Sequence, residues 1–112
     1  MKINEKELEF DIADVDCMER YENALKVMQV KSKNAQKGGS AANRMREACQ
    51  LVYDFFDSIL GEGKANEIFN GKMNFKVCFE VYEKFVNDCT ESCQSLTQSL
   101  NKYSANRAQR RA

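Results

Sequence analysis

The chain has 112 residues, 43% of them apolar and 30% charged, with 17 basic and 17 acidic side chains. This is the composition of one globular domain and excludes a disordered segment. No His is present, which removes the commonest zinc ligand, the commonest general base and every Ser-His-Asp or Cys-His arrangement. The opening MKINEKELEF has no apolar core of a signal peptide, and no apolar run approaches the ~20 residues of a bilayer span. Five Cys is an odd number, so reduced thiols in a soluble, intracellular protein are expected. Charge is nevertheless segregated. Residues 1–30 carry a net −4, residues 31–49 a net +4, residues 50–100 a net −4 and residues 101–112 a net +4, a pattern that permits contacts between blocks within one chain or between subunits.

In chain order, KINEKELEFDI reads as a β-ribbon over about residues 2–12, turning at Asn4-Glu5-Lys6, with Leu8, Phe10 and Ile12 alternating against Glu7, Glu9 and Asp11. Two strands alone are marginal, so the ribbon must lie on a helix as a lid or pair with another chain. A first helix is expected over about 15–36. Asp16 and Glu19 have capping-box spacing, Asp14 adds charge at the dipole's positive end, and Met18, Tyr21, Leu25 and Met28 form the apolar stripe. Gly38-Gly39 ends it. A second helix, about 40–60, has Ser40 as N-cap and a broad face of Met45, Ala48, Cys49, Val52, Phe55, Phe56, Ile59 and Leu60, with Gly61 expected in the left-handed conformation at its end.

Lys64 to Phe69 reads as one short helical turn, with Ile68 and Phe69 dipping into the core. Asn74 caps a third long helix, about 74–104, whose apolar row runs Cys78, Val81, Tyr82, Phe85, Cys89, Cys93 (or Ser92), Leu96, Leu100 and Tyr103. Thirty residues of helix span ~45 Å against ~30 Å for the second helix, so the last turns overhang. From Thr90 to Asn101 the rest of the surface is, apart from Glu91, Ser, Thr, Gln and Asn, leaving a narrow stripe typical of a helix–helix seam, including one between subunits. Residues 105–112 read as a flexible basic tail, and residues 1–104 as a single helical domain.

Each chemical constellation has a plainer reading. Cys78, Cys89 and Cys93 share one helix face, but without C-x2-C turns or His they suit an apolar stripe better than a soft metal. Asp54, Asp57, Glu80 and Glu83 fall off the apolar stripes, where solvated carboxylates are expected rather than an acid–base pair. Lys37-Gly38-Gly39-Ser40 lacks the P-loop frame and reads as a helix–helix turn. The basic segment Lys31–Lys37 with Arg44 and Arg46, and the Arg107/Arg110/Arg111 end, offer weak, salt-sensitive phosphate contacts without aromatic residues to stack bases. No catalytic, cofactor-binding or metal-binding residue emerges, and no membrane or nucleic-acid partner is expected.

Three segments carry a resemblance. Leu60-Gly61-Glu62-Gly63-Lys64-Ala65-Asn66-Glu67-Ile68-Phe69 followed by Gly71-Lys72, the entry Cys17-Met18-Glu19-Arg20-Tyr21-Glu22-Asn23-Ala24-Leu25, and the ending Asn106-Arg107-Ala108-Gln109-Arg110-Arg111 resemble small tail-module proteins of Gram-positive phages and prophages, of the tail-assembly-chaperone kind. The resemblance implies a non-enzymatic assembly factor in the cytoplasm of a bacterial host cell. Such a factor coats the tape-measure protein, keeps it soluble and recruits tube subunits, and no catalytic residues come with it. Leu96, Leu100, Tyr103, Arg107, Arg110 and Arg111 are the expected protein-binding residues. The alternatives are a homo-oligomeric connector or ring component and, behind it, a small nucleic-acid-binding regulator. The expected fold is mainly α, three principal helices in a bundle with a short N-terminal β-ribbon.

Overall fold

The computed structural model describes residues 2–34 and 39–110, the side chains of 106–110 excepted. It is mainly helical: a two-strand ribbon (β1, Lys2–Ile3; β2, Lys6–Glu7) precedes α1 (Val15–Asn34), α2 (Ala41–Leu60), α3 (Lys64–Phe69) and α4 (Phe75–Arg110). The expected helix around Lys64–Phe69 is α3. The last residues expected in the first helix, 35 and 36, lie outside the described residues.

The ribbon is antiparallel, pairing Lys2 with Glu7 and Ile3 with Lys6. Asn4 and Glu5 both have positive φ, 49° and 65°, as a two-residue type I′ turn requires. Asn4 Nδ2 donates to Ile68 O at 2.8 Å, and Lys6 Nζ to Asn70 Oδ1 at 3.3 Å, so the turn is fastened to the end of α3 while Ile3 enters the core. The ribbon is thus a lid on the helices. It is shorter than the expected 2–12: among the described residues the sheet has two strands, and residues 8–12 run on as an irregular segment. Phe10 reaches the core from an irregular segment closed by Asp11, which accepts from Ala13 N at its carboxylate and from Asp14 N at its carbonyl.

The start of α1 also differs from expectation. Asp14, not Asp16, is the N-cap: its Oδ1 accepts from Asp16 N at 2.9 Å and Cys17 N at 3.3 Å, and its carbonyl accepts from Met18 N. Asp16 then sits in the first turn, where its charge still favours the dipole. Ser40 caps α2 through Asn43 N, and Asn74 caps α4 through Val77 N, both as expected. Gly61 ends α2 by donating to Asp57 O, but with φ 119° and ψ 158° it occupies the extended positive-φ region rather than the left-handed helical one. That region is essentially restricted to glycine. Left-handed residues instead bracket α3, Gly63 before it and Asn70 at its end.

Packing follows from two alignments. Cys49 lies against Cys78 and Phe56 against Phe85, so α2 runs parallel to α4. Met28 shares a groove with Phe75 and Phe79, whereas Tyr21 meets Phe85 and approaches Cys89 and Cys93, so α1 runs antiparallel to α4. Phe10, Tyr21, Phe55, Phe56 and Phe85 form one cluster of mainly edge-to-face rings, joined to Phe69 through Phe56. Of the expected α2 face, Met45 is exposed instead, since it precedes the level at which α4 begins. By these alignments α2 ends near the level of Cys89 and α1 begins near Cys93.

Beyond that point, among the described residues, α4 continues alone. Its 36 residues span ~54 Å, and the molecule measures 64 × 30 × 20 Å with a radius of gyration of 17.2 Å, against ~13 Å for a compact domain of this length. The segment expected as a tail, residues 105–112, starts inside this helix, whose backbone is helical to Arg110. Residues 111 and 112 lie outside the described residues.

Candidate functional site

Two of the carboxylates singled out in the sequence, Asp54 and Asp57, serve the fold. Asp54 takes Lys31 at 3.4 Å and Gln50 Nε2 at 2.9 Å. Asp57 Oδ1 accepts from Ala65 N at 2.9 Å, supplying from α2 the cap that Gly63 has no side chain to give α3. Glu80 and Glu83 are exposed on α4. Cys49, Cys78 and Cys89 are buried, Cys17 and Cys93 half-buried, and all are free thiols. Burial, reinforced by the neighbouring Cys49, pushes the Cys78 thiol up to about 12, and burial likewise pushes Cys89 up to about 12. Such thiols stay protonated and behave as small apolar groups. Desolvation also raises Tyr21, Tyr53 and Tyr82. Among the described residues no group of three His, Cys, Asp or Glu is arranged to hold a metal ion, and no helix is long and apolar enough to cross a membrane. Ser40 of the glycine turn is engaged as the α2 cap; Lys37 and Gly38 lie outside the described residues.

What the surface offers instead is an apolar groove of ≈ 520 Å³. Met28, Gln29, Ser32 and Lys33 of α1 form one wall, Ala48, Leu51 and Val52 of α2 the floor, and Phe75, Cys78, Phe79 and Tyr82 of α4 the other wall. Phe75 and Phe79, one turn apart, stack with centroids 5.9 Å apart and are 38% and 49% exposed. Met73, before the helix, is exposed as well, and so is Val77, which helix geometry turns to another side of α4. Among the described residues, Lys33 is the one charged side chain lining the groove, and no carboxylate does. On another face, the irregular segment 8–14, α1 and α3 enclose a polar cleft of ≈ 620 Å³ with Glu7, Glu9, Asp11, Asp14 and Glu67 against Arg20 and Lys64.

The residues expected from the sequence to bind proteins lie at the opposite end of α4. Leu96 is half-buried, while Leu100 and Tyr103 are 65% and 64% exposed on the overhang. The side chains of Arg107 and Arg110, and Arg111 altogether, lie outside the described residues. Leu100 and Tyr103 therefore share a stripe with each other but not with the groove. Sequence reasoning missed Phe75 and Phe79 because the apolar row of α4 was started at Cys78. The available signal was two aromatic rings spaced i, i+4 off that row, at a helix start where solvated residues are usual.

A family model described as a family of unknown function (DUF6673) matches residues 4–112. No curated protein and no solved structure matches the chain.

Proposed function

The chain belongs to the DUF6673 family, and on that premise we propose that it is a non-enzymatic, protein-binding assembly factor that holds an apolar helix of its client in the groove between α1, α2 and α4. The observation that carries this reading is the exposed Phe75–Phe79 pair over a floor of Ala48, Leu51 and Val52. Large exposed aromatic residues rimmed by polar groups are characteristic of a protein-docking surface, and a groove bounded by helices takes the apolar face of an amphipathic helix. Lys33 and the N-terminal end of α4 at Phe75 add positive potential, which favours a client helix with neutral or acidic flanks. The resemblance to small proteins of phage tail modules supports a tail protein as client, and the tape-measure protein, long and helical, is the foremost. In that role the factor would keep the client's apolar faces from aggregating until the tube assembles around it.

The test is co-expression of the tagged chain with a tape-measure protein from a tail module of a Gram-positive phage. The wild type is expected to keep that protein soluble and to co-elute with it, and Phe75→Ser/Phe79→Ser to lose both effects without a change in its own melting curve. Equal recovery with both forms, or no recovery with either, would dismiss the reading.

A further inference from the structure

The turn after α3, on which the ribbon lands, holds a reactive pair. Asn70 is the one Asn of the chain that precedes Gly, and both Asn70 and Gly71 are exposed. The turn demands this pair, because it sets two successive residues at positive φ, 54° and 71°, where Asn and then Gly are the residues of least strain. The same two residues can deamidate in water without a catalyst, since glycine has no side chain to hinder its nitrogen. That nitrogen bonds to Asn70 Cγ, the Cγ–Nδ2 bond breaks, and the Gly71 amide proton leaves, by way of water, with the ammonia. Water then opens the cyclic imide at one of its two carbonyls. One opening gives an ordinary aspartate, and the other gives isoaspartate, whose main chain runs through Cγ.

The folded turn withholds this reaction. Ring closure needs Asn70 at strongly negative ψ, which brings the next nitrogen alongside Cβ, whereas its ψ is 34° and Gly71 N is turned away. Gly71 N also donates to Asn66 O at 3.0 Å, and Lys72 N to Phe69 O at 3.1 Å. Tyr53 Oη donates to Lys72 O at 2.6 Å, and Lys6 Nζ to the Asn70 side chain at 3.3 Å. The pieces of this clamp are weak alone. A six-residue helix and a two-strand ribbon each need packing to persist. Here Asn4 and Lys6 fasten one to the other, and Ile3, Ile68 and Phe69 share the core. Units of this kind open locally before the whole domain does. We infer that Asn70 is a site of spontaneous deamidation gated by the ribbon, blocked while β1 and β2 are fastened to α3 and reactive when the ribbon lifts and the end of α3 unwinds. Aspartate at 70 sets a carboxylate before Lys6 and refastens the ribbon. Isoaspartate adds a methylene to the main chain, which displaces Gly71 N and Lys72 N from their acceptors and removes the ribbon's landing. The modification is thus a one-way record of opening.

The full chain is incubated in mildly alkaline buffer, sampled over time and digested, and the aspartate and isoaspartate forms of the peptide containing residue 70 are separated and identified by mass spectrometry. Folded wild type should be modified at Asn70 roughly a hundredfold more slowly than the same chain in urea. Asn4→Gly/Lys6→Ala removes both side-chain fastenings while keeping a residue that accepts the positive φ of position 4. It should be modified roughly tenfold faster than folded wild type, with the far-UV spectrum of the helices intact. Lys6→Ala alone, which touches one exposed contact, should show a smaller rise and decides the matter if the double variant does not fold. Modification of the folded wild type as fast as in urea, Asn70 unmodified even in urea, or folded variants no faster than wild type would each overturn the inference.

Discussion

Replacing Phe85 with Ala tests whether the body is one core. Its ring lies 5.5 Å from Phe10, 6.0 Å from Tyr21, 5.9 Å from Phe55 and 5.3 Å from Phe56, centroid to centroid, and it is almost fully buried. Those partners come from the segment before α1, from α1 itself and from α2, so one side chain ties α4 to everything around it. Lost transfer of the ring accounts for ~2–3 kcal/mol. Some 80 Å³ left unfilled at about 24 cal/mol per Å³ adds ~2 kcal/mol. The expected loss is ~4–5 kcal/mol, a large part of the ~5–15 kcal/mol that holds a domain together. At about 2.1 cal/mol/K per residue, the unfolding entropy of 112 residues is ~0.24 kcal/mol/K, which converts the loss to a Tm drop near 20 °C. Urea denaturation followed by far-UV circular dichroism would measure it, with Phe79→Ala as the exposed control expected to cost under ~1 kcal/mol. If Phe85→Ala cost less than ~1.5 kcal/mol, or no more than the control, the four rings would not form the shared core described.

The remaining predictions concern the helix start and the thiols. Asp14→Ala should cost ~1 kcal/mol by removing the α1 cap, and Asp16→Ala only a few tenths through the dipole; the order of the two urea midpoints checks the assignment, and the reverse order would restore Asp16 as the cap. Native-state alkylation should modify Cys17 and Cys93 and spare Cys49, Cys78 and Cys89 until the chain unfolds, as peptide mass mapping would show. Cys78 and Cys89 keep their protons in the folded state to about 12, above the ordinary thiol value of 9.0. Below that ordinary value both states are protonated and pH has no effect through these groups. As pH rises from 9.0 towards about 12, the unfolded chain releases protons that the folded one holds, so stability falls. Tyr21, Tyr53 and Tyr82, also raised, act in the same direction. Urea midpoints across this window should decline, and less steeply in Cys78→Ala/Cys89→Ala; a flat profile would contradict the assignment.

Features governed by short-range geometry were legible in the sequence itself. The α2 face from Cys49 to Ile59 follows from helical periodicity, and the caps at Ser40 and Asn74 from a side-chain oxygen three residues before an N–H that lacks a partner. The overhang follows from arithmetic, because a helix rises a fixed distance per residue and α4 has more residues than anything available to cover it. Tertiary structure decided the rest. Alternation at Leu8, Phe10 and Ile12 looks like a strand, yet a strand exists only where a neighbouring strand forms a ladder with it, and among the described residues the sheet stops at β1 and β2. Asp14 and Asp16 both suit a cap, and the turn at Asp11 determined which one closes on the helix. Above all, Phe75 and Phe79 fall off the apolar row that starts at Cys78, and their spacing does not say what lies beside them. Only the mutual register of α1, α2 and α4 leaves them at the rim of a groove, since exposure depends on where the neighbouring helices end, and that is set by packing among residues far apart in the chain.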